Sequence, residues 1–423
     1  MSVSPPSSSH QRLGVILALF VLSLITFIDR AAISSAKVPM ARDLGLSDTQ
    51  IGLVFSVFAL GYAGAQIPAG WFADRFGPRI ALATLVAAWS VLTAMTGMVS
   101  SLMPLLLVRG VFGVAEAGAF PGAARVFYNW LPAGQRGIAN GILFSGGLVG
   151  AALAFPFYSW LLENYDWRRA FFILGMPGLV WAACWMVWFR DRPGGTPGSV
   201  PVPPATVKFD MRAVLSTPGI WPAMFQYFAG NFTFYICISW MHPYLIDHFG
   251  LSQQAAARYA MIPLLCGATA NWVAGAVVDR LYRSKYQRLS RQIPGIIGFV
   301  LATVGVTWAA LAHGPTSAIA GFALATFGVE LTISPSWAYC LDVGGNRAAT
   351  VSATMNTAGN LGGVVSMNAF PLLQGVTGSG STYFFVAAGL NILALLCWRA
   401  MSSPRAAAAT YAASSPNFRE AEG

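Results

Sequence analysis

The chain has 423 residues, 56% of them apolar and only 9% charged, where a soluble protein carries about 25% charged residues. Its 25 basic and 15 acidic side chains cannot clothe a globule of this size in water, so the outer surface must face lipid. The net charge of +10 raises nucleic acid as a partner, which the placement of the basic residues along the chain argues against.

Twelve membrane crossings at about 20 residues each would use roughly 240 residues. Apolar runs bounded by charge, Gly or Pro predict spans 1 to 6 near residues 13–35, 49–73, 80–100, 103–130, 137–160 and 170–190. Spans 7 to 12 follow near 219–246, 255–281, 292–312, 315–341, 348–374 and 381–401. This gives an N-terminal tail (1–12), a six-helix bundle (13–190), a linker (191–218), a second six-helix bundle (219–401) and a C-terminal tail (402–423). The linker holds Pro193, Pro197, Pro201, Pro203 and Pro204, then Lys208 and Arg212. The Ser- and Pro-rich start lacks the basic region of a signal peptide, so the first span is expected to stay.

Basic residues concentrate on the cytoplasmic side of membrane proteins. With both termini placed in the cytoplasm, eighteen of the Lys and Arg residues fall inside, among them Arg75, Arg79, Arg136, Arg280, Arg283, Lys285, Arg288 and Arg291. Five fall outside (Lys37, Arg42, Arg168, Arg169 and Arg258), and Arg30 and Arg109 fall within spans. An odd error in the number of spans would scramble this asymmetry. The expectation is a multi-pass protein of a cell membrane, the inner one if the source is bacterial.

The halves also repeat. Gly70-x-x-x-Asp74-Arg75 at the end of span 2 returns as Gly275-x-x-x-Asp279-Arg280 at the end of span 8, and Asn140, Gly146 and Gly147 match the spacing of Asn356, Gly362 and Gly363. Parallel six-helix repeats joined by a basic linker describe the major facilitator fold, an all-α membrane protein with two pseudo-symmetric bundles. The run from Gly70 through Asp74, Arg75 and Gly77 to Arg79 resembles that superfamily's signature loop. The resemblance implies a latch on the cytoplasmic side; plain topological anchoring by Arg75 and Arg79 is the simpler reading.

An ionisable group in mid-membrane costs at least about 2.5–3.5 kcal/mol on insertion scales and needs a partner, water or a function. Five qualify: Asp29, Arg30, Arg109, Glu116 and Glu330. Arg109 and Glu116 are two turns apart on one face of span 4, which also carries Gly113, so a helix or ligand can come close there. Asp29 and Arg30 point about 100° apart on span 1, so one can pair with span 4 while the other faces a shared cavity. Two acids and two bases suit coupled anion and proton binding, although a static ion-pair network is the competing reading. Glu330 lies about 18 Å from Asp342 along span 10, and spans 7, 10 and 11 offer no base to neutralise it. It reads as a protonated structural acid, a second proton site or part of the substrate pocket.

Beyond the fold, the chain resembles the anion:cation symporter family, which includes galactonate, hexuronate and sialin-type transporters. The resemblance rests on Asp29-Arg30, Gly61-Tyr62, Gln66-Ile67-Pro68-x-Gly70, Arg109-x-x-x-Gly113-x-x-Glu116-x-x-x-Phe120-Pro121, Pro132-x-x-x-Arg136-Gly137 and Trp167-Arg168-x-Ala170-Phe171. It implies that Asp29 and Glu116 take the coupling protons, that Arg109 holds the substrate anion and that Arg30 is a charge partner. Galactonate-type members have a glutamine where this chain has Gly147, which implies a larger and less polar pocket.

Other pocket candidates are Tyr62 and Gln66 on span 2, Asn231 and Tyr235 on span 7, and Asn356 and Asn360 on span 11. Gln226, Tyr227, Asn231 and Tyr235 form a polar stripe, with Trp240 and Tyr244 as an outer gate or interfacial anchors. For the asparagines, helix packing is the alternative. Five cysteines show no pairing pattern, the four histidines make no metal spacing, and no nucleotide loop or nucleophile elbow occurs. The expectation is a monomeric secondary transporter, not an enzyme, with no cofactor beyond a coupling proton. It would import a small organic anion by rocking of the two bundles. Proton-independent exchange or facilitation, and a non-transporting sensor, are the rivals.

Overall fold

The computed structural model describes residues 9–192, 208–378 and 380–401. Residues 1–8 of the predicted N-terminal tail (1–12), the predicted C-terminal tail (402–423) and the Pro-rich part of the predicted linker, 193–207, lie outside the described residues, while 9–12 belong to the first helix. All regular structure among the described residues is helical.

The helices are α1 (Ser9–Ser35), α2 (Lys37–Leu44), α3 (Asp48–Phe76), α4 (Pro78–Thr96), α5 (Leu102–Glu116), α6 (Ala119–Trp130), α7 (Arg136–Asn164), α8 (Trp167–Trp188) and α9 (Met211–Leu215). Then come α10 (Ile220–Ser239), α11 (Met241–Phe249), α12 (Gln253–Tyr282), α13 (Gln292–Ala310), α14 (Pro315–Leu331), α15 (Ile333–Gly344), α16 (Ala348–Thr377) and α17 (Ser381–Ala400). Each predicted span coincides with one helix or a consecutive pair. Only the short α2 and α9 fall outside the predicted twelve. Among the described residues, ten stretches are long and apolar enough to cross a membrane, and one of them, Pro315–Thr377, holds two predicted spans.

Local sequence sets the ends. Ser47 and Gln50 form a reciprocal cap on α3, and Asp166 accepts the Arg169 N–H at the start of α8. Pro78 and Pro315 open α4 and α14, where a missing N–H costs nothing. Spans 4, 7 and 10 are each interrupted, at Ala117–Gly118, Trp240 and Thr332. In each, a proline three or four residues on (Pro121, Pro243, Pro335) removes the donor for the last carbonyl before or at the break. Proline alone is not sufficient, since Pro68, Pro177 and Pro263 sit inside continuous helices.

The chain divides into two compact units. Among the described residues, the first comprises 9–131, 142–192, 208–209 and 346–353; the second comprises 132–141, 210–345, 354–378 and 380–401. Glycines bring helices together in both. In the first unit a Cβ on Gly113 would lie 2.9 Å from the Tyr62 nitrogen and one on Gly175 would lie 2.6 Å from the Ser90 carbonyl, so α5 meets α3 and α8 meets α4 backbone to backbone. In the second unit Gly298, Gly305, Gly321 and Gly328 do this for α13 and α14. Lipid offers no hydrophobic drive for helix association, so close van der Waals contact through small residues replaces it. The outward faces carry exposed apolar side chains such as Leu60, Leu107, Val187 and Leu265, as a lipid-facing surface requires.

Candidate functional site

The charged residues of α1 and α5 meet inside the first unit. Arg30 Nε donates to Glu116 Oε1 at 2.7 Å, with the Arg30 side chain one-quarter exposed and that of Glu116 fully buried. The Arg30 guanidinium lies over three rings, 4.5 Å from the centre of Tyr62, 5.1 Å from Phe27 and 5.9 Å from Phe58. Asp29, turned away from its neighbour by the helical step, is buried within electrostatic range of Glu116 and Arg109 and is bordered by Trp89 and Tyr158. Arg109, also buried, stacks 4.3 Å from the centre of Phe112 and 5.3 Å from Phe58. Glu116 is the last residue of α5, directly before the interruption of span 4.

Donors and acceptors in this cluster are left without partners. Arg109 Nε and Nη1, Arg30 Nη2, Asp29 Oδ2 and Glu116 Oε2 are buried without a hydrogen bond, as are, on α3, both side-chain amide atoms of Gln66. Buried polar groups are nearly always satisfied, and leaving one unmet costs about 1–3 kcal/mol. The guanidinium N–H groups can receive an oxyanion, and the carboxylate oxygens can receive a proton. Gly113, read as admitting a helix or a ligand, admits α3.

Gly147 overturns one expectation. The ring of Phe27 lies against it, so that a Cβ there would stand 2.6 Å from a ring carbon. At this position the space is filled by the ring, not enlarged. Phe120 stacks on Phe144 at 5.1 Å and meets Phe27 edge to face at 6.4 Å, extending an aromatic wall beside Arg30. The second unit repeats the arrangement, since a Cβ on Gly363 would stand 2.6 Å from the ring of Tyr235.

The remaining candidates divide. Asn231 and Asn360 each donate to a carbonyl one turn back, Tyr227 and Asn356, at 2.9 and 3.0 Å. Asn356 and Asn360 are partly exposed. Gln226 and Tyr227 bond to Ser336 and Trp337 and so tie α10 to α15. Trp240 stacks on Phe370, and Tyr244 packs against Phe322 and Phe384 in an apolar cluster. Glu330 has a partner from α12 that the sequence did not reveal: Asn271 Nδ2 donates to its Oε2 at 2.6 Å.

The signature run also has a definite structure. Asp74 accepts from the Ala349 N–H (3.1 Å), the Thr350 N–H (2.8 Å) and the Thr350 hydroxyl (2.6 Å), with Arg125 at 3.5 Å. In the second unit, Asp279 accepts from the Gly137 and Ile138 N–H groups at 2.9 and 2.8 Å. Each motif carboxylate thus caps the N-terminal turn of a long helix, α16 or α7, where unpaired N–H groups and the helix dipole favour negative charge. Gly70 and Gly275 allow the approach, since a Cβ would lie 2.8 Å from the Ala349 carbonyl oxygen in one case and from that of Gly137 in the other. Gly77, at φ +83°, leaves room for Asp191, which accepts the Arg79 N–H at 2.8 Å. The Arg79 side chain donates to the Met186 carbonyl, and Arg75 lies over Trp71 and Phe76. Asp191 and a second cluster, Asp342 between Arg136 (2.7 Å) and Arg291 (3.0 Å), were not singled out from the sequence. The signal was an acid just beyond a span end in a basic segment.

Residues 19–367 match the Major Facilitator Superfamily model. The chain belongs to that superfamily. It is a multi-pass membrane transporter and not an enzyme. A Cupriavidus necator protein named "Probable sulfoacetate transporter SauU" is 32% identical, with 90% of this chain and 91% of the relative aligned. The hexuronate transporter of Bacillus subtilis is 28% identical over 92% and 94%. Among solved structures, the superfamily transporter FucP in an outward conformation superposes with a TM-score of 0.75 at 15% identity, covering 92% of this chain and 98% of that one. At that identity the likeness shows the fold, twelve helices in two pseudo-symmetric bundles.

Proposed function

We propose that this superfamily member is a proton-coupled symporter that takes up a small organic anion by exposing its site alternately to the two sides of the membrane. The observation that carries the reading is the unmet pairing in the first unit. Arg109 and Arg30 present N–H groups without acceptors beside the unpartnered carboxylate oxygens of Asp29 and Glu116. An anion bound to Arg109 draws on the positive charge that Asp29 and Glu116 face, and a proton on either acid restores the balance. Each ligand then favours the other, which is thermodynamic linkage.

The relatives' names support an anion of the sugar-acid or sulfonate kind. The aromatic wall of Phe27, Phe120 and Phe144 supports one less hydroxylated than an aldonic acid. Asp74 and its counterpart Asp279 are the cytoplasmic latches in this scheme, in a monomer with both termini in the cytoplasm. Uptake into proteoliposomes of sulfoacetate, glucuronate and galactonate, with and without an imposed inward proton gradient, tests the reading. Accumulation driven by the gradient supports it; uptake that ignores the gradient rejects the coupling.

A further inference from the structure

We propose that Glu330 and Asn271 form a second proton-binding site, in the second unit, which exchanges a proton with solution independently of the α1–α5 cluster. Glu330 is 6% exposed and Asn271 fully buried. The acid stands on α14 against α12, with Gly267 leaving room: a Cβ there would lie 3.0 Å from Glu330 Cγ and 3.1 Å from the Thr326 methyl.

No cation neutralises this carboxyl among the described residues. Arg258, Asp279 and Arg280 share α12 with Asn271, but the nearest is Asp279, about 12 Å along the helix, and it caps α7. α12 also carries the titratable Tyr259, Cys266 and Tyr282. α13 carries no ionisable side chain, and the titratable residues in the sequence of α10 are Tyr227, Tyr235 and Cys237. On α15, besides Tyr339 and Cys340, Asp342 lies about 18 Å from Glu330 along the chain direction and is held by Arg136 and Arg291. Asn271 is the hydrogen-bond partner that the structure gives the Glu330 carboxyl.

An ionised carboxylate in such surroundings lacks the partner that burial demands. The amide shows what completes it. Asn271 Nδ2 donates to Glu330 Oε2, while Asn271 Oδ1 is buried with no donor. A proton taken from water onto Glu330 Oε1 forms an O–H bond that can donate to Oδ1, closing a two-bond acid–amide pair in which both groups are satisfied. A sodium ion fits less well. Two carboxylate oxygens and one amide oxygen fall short of the six or so oxygens a hard cation takes, and α12 is continuous through Asn271, so its carbonyls are engaged within the helix.

This site is additional to the proposed coupling cluster. If both act in one cycle, two protons move with each anion, and that consequence alone rests on the symport reading. The test is infrared difference spectroscopy of the full-length protein in lipid nanodiscs, between acidic and neutral buffer. A protonated carboxyl band that titrates, vanishes in Glu330→Gln and shifts in Asn271→Ala is expected. A spectrum unchanged by Glu330→Gln, a Glu330 band that stays protonated at every pH, or a band that responds to sodium and not to pH overturns the proposal. Glutamine is isosteric with the protonated acid; should that variant nevertheless fail to fold, the Asn271→Ala shift decides, its absence counting against the site. Failure of gradient-driven uptake in the wild type rejects the symport reading and leaves the infrared test of Glu330 standing by itself. Where uptake is coupled, Glu330→Gln lowers the steady accumulation ratio about tenfold per pH unit of gradient, the factor one proton contributes; an unchanged ratio overturns the second site.

Discussion

Arg30 reaches from α1 to Glu116 at the last turn of α5, and the 2.7 Å pair they make occupies one carboxylate oxygen while the other has no hydrogen-bond partner. The bond thus fixes Glu116 without saturating it. A fully satisfied pair would be a strut; a half-satisfied one can accept a proton and release its cation.

Glu116→Gln keeps the shape and the hydrogen-bonding oxygen but cannot change charge. Gradient-driven accumulation in proteoliposomes is expected to vanish, while anion exchange at equal pH persists in part. Unimpaired accumulation would remove Glu116 from the coupling.

Arg109→Ala removes two unpartnered N–H groups, Nε and Nη1. Charge-assisted hydrogen bonds contribute about 1.5–3 kcal/mol each, so losing two should lower anion affinity at least about 100-fold, since every 1.4 kcal/mol is about tenfold. Arg109→Lys should recover little, because a point ammonium cannot reproduce the planar fork or the stacking on Phe112. Equilibrium binding of radiolabelled sulfoacetate and galactonate measures both; affinity retained in the alanine variant refutes the assignment.

Phe27 covers Gly147, and Phe27→Ala should open a seat for hydroxylated substrates. The ratio of galactonate to sulfoacetate uptake is expected to rise several-fold. Gly147→Ala should instead push the ring aside and lower uptake of both; a ratio unmoved by Phe27→Ala would place this wall outside the substrate's path.

Asp74→Ala removes a carboxylate that receives three hydrogen bonds from the start of α16. Losing an N-terminal cap costs about 0.5–2 kcal/mol, and the apparent melting temperature in detergent should drop. Asp279→Ala should do the same for α7 through its two bonds. Unchanged melting in both variants would mean that these caps do not hold the helix starts.

Asp191 lies beyond the end of α8, and burial pushes its carboxyl above the usual carboxylate range, the Arg79 N–H only partly offsetting this. The folded protein therefore holds this proton more firmly than the unfolded chain, so its contribution to stability falls as pH rises from the ordinary carboxylate value through the raised one. Asp191→Asn keeps an acceptor for Arg79 without the charge. Its melting temperature should decline less than that of the wild type as pH is raised through the mildly acidic range; parallel profiles would refute the shift.

Sequence by itself determined the membrane-spanning helices and the five charged residues within them, because the cost of placing charge or bare backbone in lipid is met residue by residue and shows as uninterrupted apolar runs. It also marked the repeated Gly-x-x-x-Asp, since the same local requirement recurs in each half. Only the tertiary structure decided who meets whom: that Arg30 and not Asp29 takes Glu116, that Phe27 fills the place left by Gly147, and that Asn271 stands against Glu330. Those choices depend on helix rotation and close packing between segments far apart in the chain, and periodicity within one helix carries no information about the face its neighbour presents.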